Sequence, residues 1–169
     1  MPEVILIIDM LKGFIEPKYP LYCGKDAESI VPNIVNFLKN HPKIEKIYIC
    51  DRHKKDDLEF LMFPPHCIEE TEEAEIIDEL KKFPGIIIYK TRFSGFFKTN
   101  LEEVLENLNP SKIYVCGVCT DICVLYTVAD LRFRDYEVYV LKDCVASFDK
   151  EAHMFALKHM ERILGAKII

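Results

Sequence analysis

The chain has 169 residues, of which half are hydrophobic and 30% charged, with 22 basic against 28 acidic side chains and a net charge of −6. That suits one soluble globular domain spanning 1–169, long enough to bury a core. No Lys/Arg stripe interleaved with aromatics is present, so nucleic acid is not an expected partner. The first apolar run, Val4 to Ile8, is too short for a secretion signal or a membrane span, and a cytoplasmic protein without a membrane partner is expected. The 7 cysteines are odd in number and not spaced as a disulfide framework, which leaves core thiols, metal ligands or a nucleophile.

In chain order, Glu3 to Ile8 reads as a buried strand that ends at Asp9. Met10 to Asp26 carries Gly13, Pro17, Pro20 and Gly24 and reads mostly as loop. Ser29 to Lys39 is a predicted helix with Ile30, Ile34, Phe37 and Leu38 on one face, and Lys46 to Cys50 a second strand ending at Asp51. Asp51 to Thr71 is polar and irregular, an excursion of the kind that carries function. Thr71 to Leu80 reads as an acidic helix capped by Thr71, and Gly85 to Tyr89 as a third buried strand followed by Lys90.

Thr99 to Leu108 is a predicted helix whose Thr99-x-x-Glu102 fits a capping box. Lys112 to Cys116 alternates as a fourth strand, and Gly117 is expected to break it. From Thr120 the residues Ile122, Val124, Leu125, Val128 and Ala129 recur at helical spacing, which puts Cys123 in a first turn. The N-terminal end of a helix favours a thiolate there. Glu137 to Leu141 is strand five. Asp149 to Leu164 is a helix, amphipathic through Ala152, Phe155, Ala156, Met160 and Ile163, and Ala166 to Ile169 is a short sixth strand. The alternation of strands and helices predicts a three-layer αβα domain with a six-stranded, mostly parallel, Rossmann-like sheet.

In such a sheet ligands bind beyond the C-terminal ends of the strands. Asp9, Asp51 and Lys90 each close a strand there, and Cys123 follows the fourth. Asp9 can take the thiol proton and later deliver it to a leaving amine. Lys90 can hold carboxylate and thiolate by charge. The backbone N–H groups of Cys119 and Cys123 can receive an oxyanion. Asp51 and His53, two apart on an extended segment, point the same way. With His66, and Glu59 as a possible fourth, they form a ligand set suited to zinc, manganese or iron; a polar loop with two exposed histidines is the alternative.

Cys116, Cys119 and Cys123 lack a fourth ligand at usual spacing for a cluster site; Cys116 in its apolar strand reads as a packed thiol, as does Cys67, while Cys123 reads as a nucleophile. Cys23, Cys50 and Cys144 have no partner that the sequence identifies. His153 reads as a core or capping histidine.

Five segments carry a resemblance: I-I-D-M-L-K-G-F (7–14), D-R-H (51–53), F-P-P-H-C (63–67), Y-K-T-R-F-S-G-F (89–96) and G-V-C-T-D-I-C-V (117–124). In this order, over nearly the whole chain, they resemble the isochorismatase-like cysteine hydrolases and are most similar to the nicotinamidase branch. The resemblance implies a triad of Asp9, Lys90 and Cys123, and a cis peptide between Val118 and Cys119 that shapes the oxyanion hole. It implies one divalent metal, zinc first, on Asp51, His53, His66 and, as the best match for a variable ligand, Glu59. It implies deamidation of nicotinamide to nicotinate through a thioester, with the metal on the pyridine nitrogen, Phe14 against the ring and Leu61 or Phe63 opposite. Arg52 stands where that branch usually has tryptophan. A small-molecule amide is thus the expected partner, and a homo-oligomer the expected assembly. Two alternatives stay open: an amidase of the same mechanism for another small amide or ureide, and a non-enzymatic metal- or redox-responsive protein.

Overall fold

A computed structural model describes residues 1–169. Six strands form one sheet: β1 (Glu3–Ile8), β2 (Glu45–Asp51), β3 (Ile86–Lys90), β4 (Lys112–Val118), β5 (Val138–Ala146) and β6 (Lys167–Ile168). Their order is β3-β2-β1-β4-β5-β6, and every pairing is parallel. The chain therefore winds outward from β1 to one edge, returns to the centre, and winds outward to the other. The reversal lies between β1 and β4, where such sheets open a crevice.

Helices cover both faces. The single turn α1 (Lys12–Ile15) and the long α2 (Lys25–Asn40) lie on one, and α3 (Leu101–Leu108), α4 (Leu125–Phe133) and α5 (Lys150–Arg162) on the other. Strand β1 shows why its run is continuously apolar. Ile5 and Ile7 face the α2 layer while Val4, Leu6 and Ile8 face the α3–α5 layer, so no position meets water. No helix is long and apolar enough to cross a membrane.

At the crevice β1 and β4 approach closely. Gly117 pairs with Ile8 at φ +118°, and a Cβ built there would lie 2.0 Å from the Ile8 carbonyl oxygen. Only glycine fits, and so Gly117 does not break β4. The strand runs two residues further than expected, which carries Val118 and Cys119 up beside Asp9.

The structure corrects several other expectations. Thr71 to Leu80 is not a helix but two 3₁₀ turns, Glu72–Ala74 and Asp78–Leu80. Between them the backbone pairs with the β1–α1 connection, the Lys12 N–H donating to Glu75 O (2.9 Å) and the Ile77 N–H to Met10 O (3.1 Å). The acidic side chains converge on the Lys12 ammonium, at 3.5 Å from Glu72, 3.2 Å from Glu75 and 3.6 Å from Asp78. That tertiary pairing outcompetes the local helical preference.

Strand β3 is an edge, with Ile86, Ile87 and Tyr89 exposed and only Ile88 and Lys90 buried. Helix α2 starts at Lys25, its polar first turn hiding it from an apolar-spacing search. The capping box of α3 does not form. Asn100 is the cap, and Glu102 pairs with Arg134 instead. In α5 only Ala156 and Met160 are buried, whereas Phe155 and Ile163 face outward.

Candidate active site

Three strand ends and one turn build the first part of the site. Asp9 follows β1 in a left-handed conformation (φ 52°), and its Oδ1 accepts the Asp51 N–H at 2.9 Å across the β1–β2 gap. Asp51 and Lys90 are paired in register at the ends of β2 and β3. The Lys90 ammonium is fully buried and donates to Asp9 Oδ2 at 3.0 Å, to Asp51 Oδ1, and to Cys123 Sγ at 3.3 Å. The Cys123 thiol also lies within 4.8 Å of the Asp9 and Asp51 carboxylates. It sits in a π turn, Thr120–Val124, that leads into α4. The peptide between Val118 and Cys119 is cis, and the Cys119 N–H donates to no acceptor within the chain.

Charge divides unequally among these groups. Burial and the Asp51 charge, outweighing Lys90, raise the Asp9 carboxyl to about 6. At Asp51 burial acts upward too, but Lys90 and the neighbouring imidazoles prevail and hold its carboxyl well below the usual range. Lys90, between two carboxylates, stays charged despite its burial. Cys123 corrects the sequence-based expectation. Burial and the Asp9 carboxylate outweigh Lys90 and push the thiol well above its ordinary value, so it rests protonated. A helix terminus cannot offset two carboxylates in contact range.

The second part of the site lies alongside. Asp51, His53, Glu59 and His66 are all buried, and one donor atom from each lies within 4.8 Å of all the others. Backbone pairing brings the histidines together: the His53 N–H donates to Cys67 O (2.9 Å), and the Glu69 N–H to His53 O (2.8 Å). Glu59 arrives on a short 3₁₀ turn, Leu58–Leu61, capped by Asp57. Each imidazole uses Nδ1 outward, His53 to Asp57 Oδ2 (2.9 Å) and His66 to Pro64 O (2.8 Å), so both Nε2 atoms face the centre. There they meet Glu59 Oε2 at 3.3 and 3.2 Å and Asp51 Oδ2 at 3.5 and 3.7 Å.

The donor set fits a divalent metal. His53 Nε2 is buried and has no hydrogen-bond partner, as a nitrogen waiting for a cation would be. Two imidazoles and two carboxylates suit zinc, manganese or iron. The outward Nδ1 contacts are the orienting kind that metal-binding histidines make. Burial opposes a proton on His66, but hydrogen bonds to Asp51 and Glu59 overcome it and raise the ring to about 10. The set as a whole draws positive charge.

Both parts open on one cavity of about 260 Å³. That is below the usual ~300–1,000 Å³ of drug-sized pockets and suits one small ring. Phe14 and Phe63 line it, as do Phe93, Ile122 and Phe148, which sequence reasoning missed. Leu61 does not: it is 86% exposed on the outer side of its 3₁₀ turn, so it is no wall of the cavity. Arg52 points away as well, stacked 4.5 Å over the Tyr89 ring. Asp57 was also missed. It takes bonds from His53, from the Glu59 N–H (2.8 Å) and from Arg92 (2.8 Å), and the one sequence signal for it was a capping Asp two residues before Glu59.

Residues 3–169 match the family model described as the isochorismatase domain. An uncharacterized isochorismatase family protein, PncA, of Bacillus subtilis (strain 168) is 32% identical over 99% of both chains. The crystal structure of nicotinamidase PncA from Bacillus subtilis superposes with a TM-score of 0.92, at 31% identity over 99% of both chains. That of the pyrazinamidase of Pyrococcus horikoshii in complex with zinc gives 0.89, at 26% identity over 100% of this chain and 99% of that one.

Proposed function

The chain belongs to the isochorismatase family as a hydrolase of amide bonds, and from that premise we propose that it deamidates nicotinamide to nicotinate and ammonia, using Cys123 and a divalent metal. The observation that carries this reading is that one small aromatic-walled cavity is lined both by Asp9 and Cys123, which share Lys90 behind them, and by Asp51, Glu59 and His66 of the four-residue metal set. A general amidase needs only the former. A pyridine-3-carboxamide, with a ring nitrogen as well as an amide to be held, uses both.

On this reading Asp51, His53, Glu59 and His66 hold the metal, which when bound supplies a Lewis-acid contact that orients the pyridine nitrogen. Phe14, Phe63 and Phe93 pack around the ring. Asp9, mostly ionised at neutral pH, accepts the Cys123 proton as Sγ attacks the amide carbon. Lys90 keeps the thiolate and the Asp9 carboxyl in place by charge. The N–H groups of Cys119 and Cys123 receive the tetrahedral oxyanion, and the uncommitted N–H of Cys119 suits that task. Asp9 returns its proton to the departing ammonia. It then takes a proton from the water that cleaves the thioester and hands it to the departing Cys123 sulfur, so the thiol is restored and nicotinate leaves.

The test is ammonia release from nicotinamide by purified protein, zinc-loaded and chelated, beside Cys123→Ala. Release that requires both metal and thiol is the expected result. Release unaffected by chelation would remove the metal from the reaction, and no release from the zinc-loaded protein would remove nicotinamide as the substrate.

A further inference from the structure

The cavity wall holds a pair of sulfurs that the amidase reaction does not use. Cys23 Sγ and Cys119 Sγ are 3.4 Å apart, brought together from 96 positions away in sequence. Among the seven free cysteines this is the one thiol–thiol contact. Both residues line the cavity, and both are buried. Cys23 lies on the segment between α1 and α2. Its N–H donates to Phe14 O at 2.8 Å and its thiol reaches Leu21 O at 3.4 Å, which fixes the side chain toward Cys119.

We propose that Cys23 and Cys119 are a modification site, a dithiol that a small hydroperoxide entering the catalytic cavity converts to a reversible disulfide. A disulfide bond is about 2.05 Å long, so the sulfurs need to close by only about 1.4 Å. Cys119 Sγ attacks one peroxide oxygen. The S–O bond forms as the O–O bond breaks, and the departing oxygen leaves as water carrying the thiol proton. Cys23 Sγ then displaces the sulfenic oxygen, which leaves as a second water with the Cys23 proton. Two thiols and one hydrogen peroxide give one disulfide and two waters, the sulfur pair losing the two electrons that the peroxide gains. The bond ties the α1–α2 segment to the turn that presents the Cys119 N–H. A thiol reductant reopens it.

The experiment maps thiols and needs no substrate, so its outcome is independent of the nicotinamide assignment. Intact protein is treated with limiting hydrogen peroxide, remaining thiols are blocked with N-ethylmaleimide, and peptides are mapped by mass spectrometry without reduction. The same is done with Cys123→Ala, which removes the catalytic thiol. The expected result is a Cys23–Cys119 linked peptide in both proteins. Free thiols fall from seven to five in the wild type, and dithiothreitol restores them. Blocked thiols at both Cys23 and Cys119 after peroxide would overturn the proposal. So would a disulfide from either one to Cys123, or a link that disappears in Cys123→Ala.

Discussion

Lys90→Met tests how the site is held together. The substitution keeps most of the stem and removes the one cation between the Asp9 and Asp51 carboxylates, all three groups being buried. Breaking a buried ion pair by removing one partner costs about 3–5 kcal/mol. For a chain of this size each kcal/mol lowers the melting temperature by about 2–4 °C, so the expected fall is roughly 6–20 °C. The deficit depends on pH with a definite sign. Without the ammonium, both carboxyls rise in the folded state, Asp9 further above the ~3.9 of an unfolded Asp from about 6 and Asp51 upward from below it. The folded state then binds protons more tightly than the unfolded one, and its stability drops as pH rises. The gap to wild type should therefore narrow between about pH 7.5 and about pH 5, with both proteins measured after chelation. Adding Asp9→Asn to Lys90→Met should recover part of the loss, since one buried charge disappears with it. Thermal unfolding by circular dichroism over that range is the assay. A shift below about 1 kcal/mol, or a gap that widens on acidification, would refute the reasoning.

Cys123→Ala should lower amide hydrolysis by at least about 10³-fold while leaving the melting temperature near that of the wild type, read from ammonia release and calorimetry. Asp57→Asn keeps the cap of the 3₁₀ turn but loses the carboxylate that orients His53, and zinc affinity should fall about 10–100-fold in competition with a chromogenic chelator. Gly117→Ala forces a Cβ to 2.0 Å from the Ile8 carbonyl oxygen, so the β1–β4 pairing must open, with a loss of about 4 kcal/mol or more seen as a lower denaturation midpoint or as insoluble protein.

What the sequence disclosed and what it hid follow one physical line. The six strands and their parallel pairing were legible, though not their spatial order, because buried parallel strands must be continuously apolar, as Val4 to Ile8 is, and because strand and helix periods differ. The residues at the strand ends were legible for the same reason. A polar residue closing such a run, as Asp9, Asp51 and Lys90 do, has few places to go except the crevice. Contacts made by one segment with a distant one were not legible. The 71–80 segment has the charge pattern of a solvated helix, and only Lys12, sixty residues earlier, explains why it pairs as an extended strap. Leu61 and Phe63 differ in no local signal, yet the turn at Leu58–Leu61 sends one to solvent and the other into the cavity. Cys23 could not be matched to Cys119 for the same reason.

One lysine shared by two acids accounts for how this site can divide its tasks. Asp51 lies against Lys90 and two imidazoles, so its carboxyl stays ionised and suits a cation. Asp9 meets the same ammonium with no imidazole beside it, and burial and the Asp51 charge raise its carboxyl to about 6, where a proton can be both taken and released near neutral pH. The thiol beside it pays for that arrangement by resting protonated. On the proposed mechanism this is no handicap. A thiolate waiting in the cavity would invite capture by the neighbouring metal, whereas a thiol that loses its proton only as it attacks is unmasked by the substrate itself. The two carboxyls are chemically identical. On the proposed mechanism, what makes one of them a ligand and the other a base is the placement of Lys90 at the end of β3, in register with Asp51 and one strand removed from Asp9.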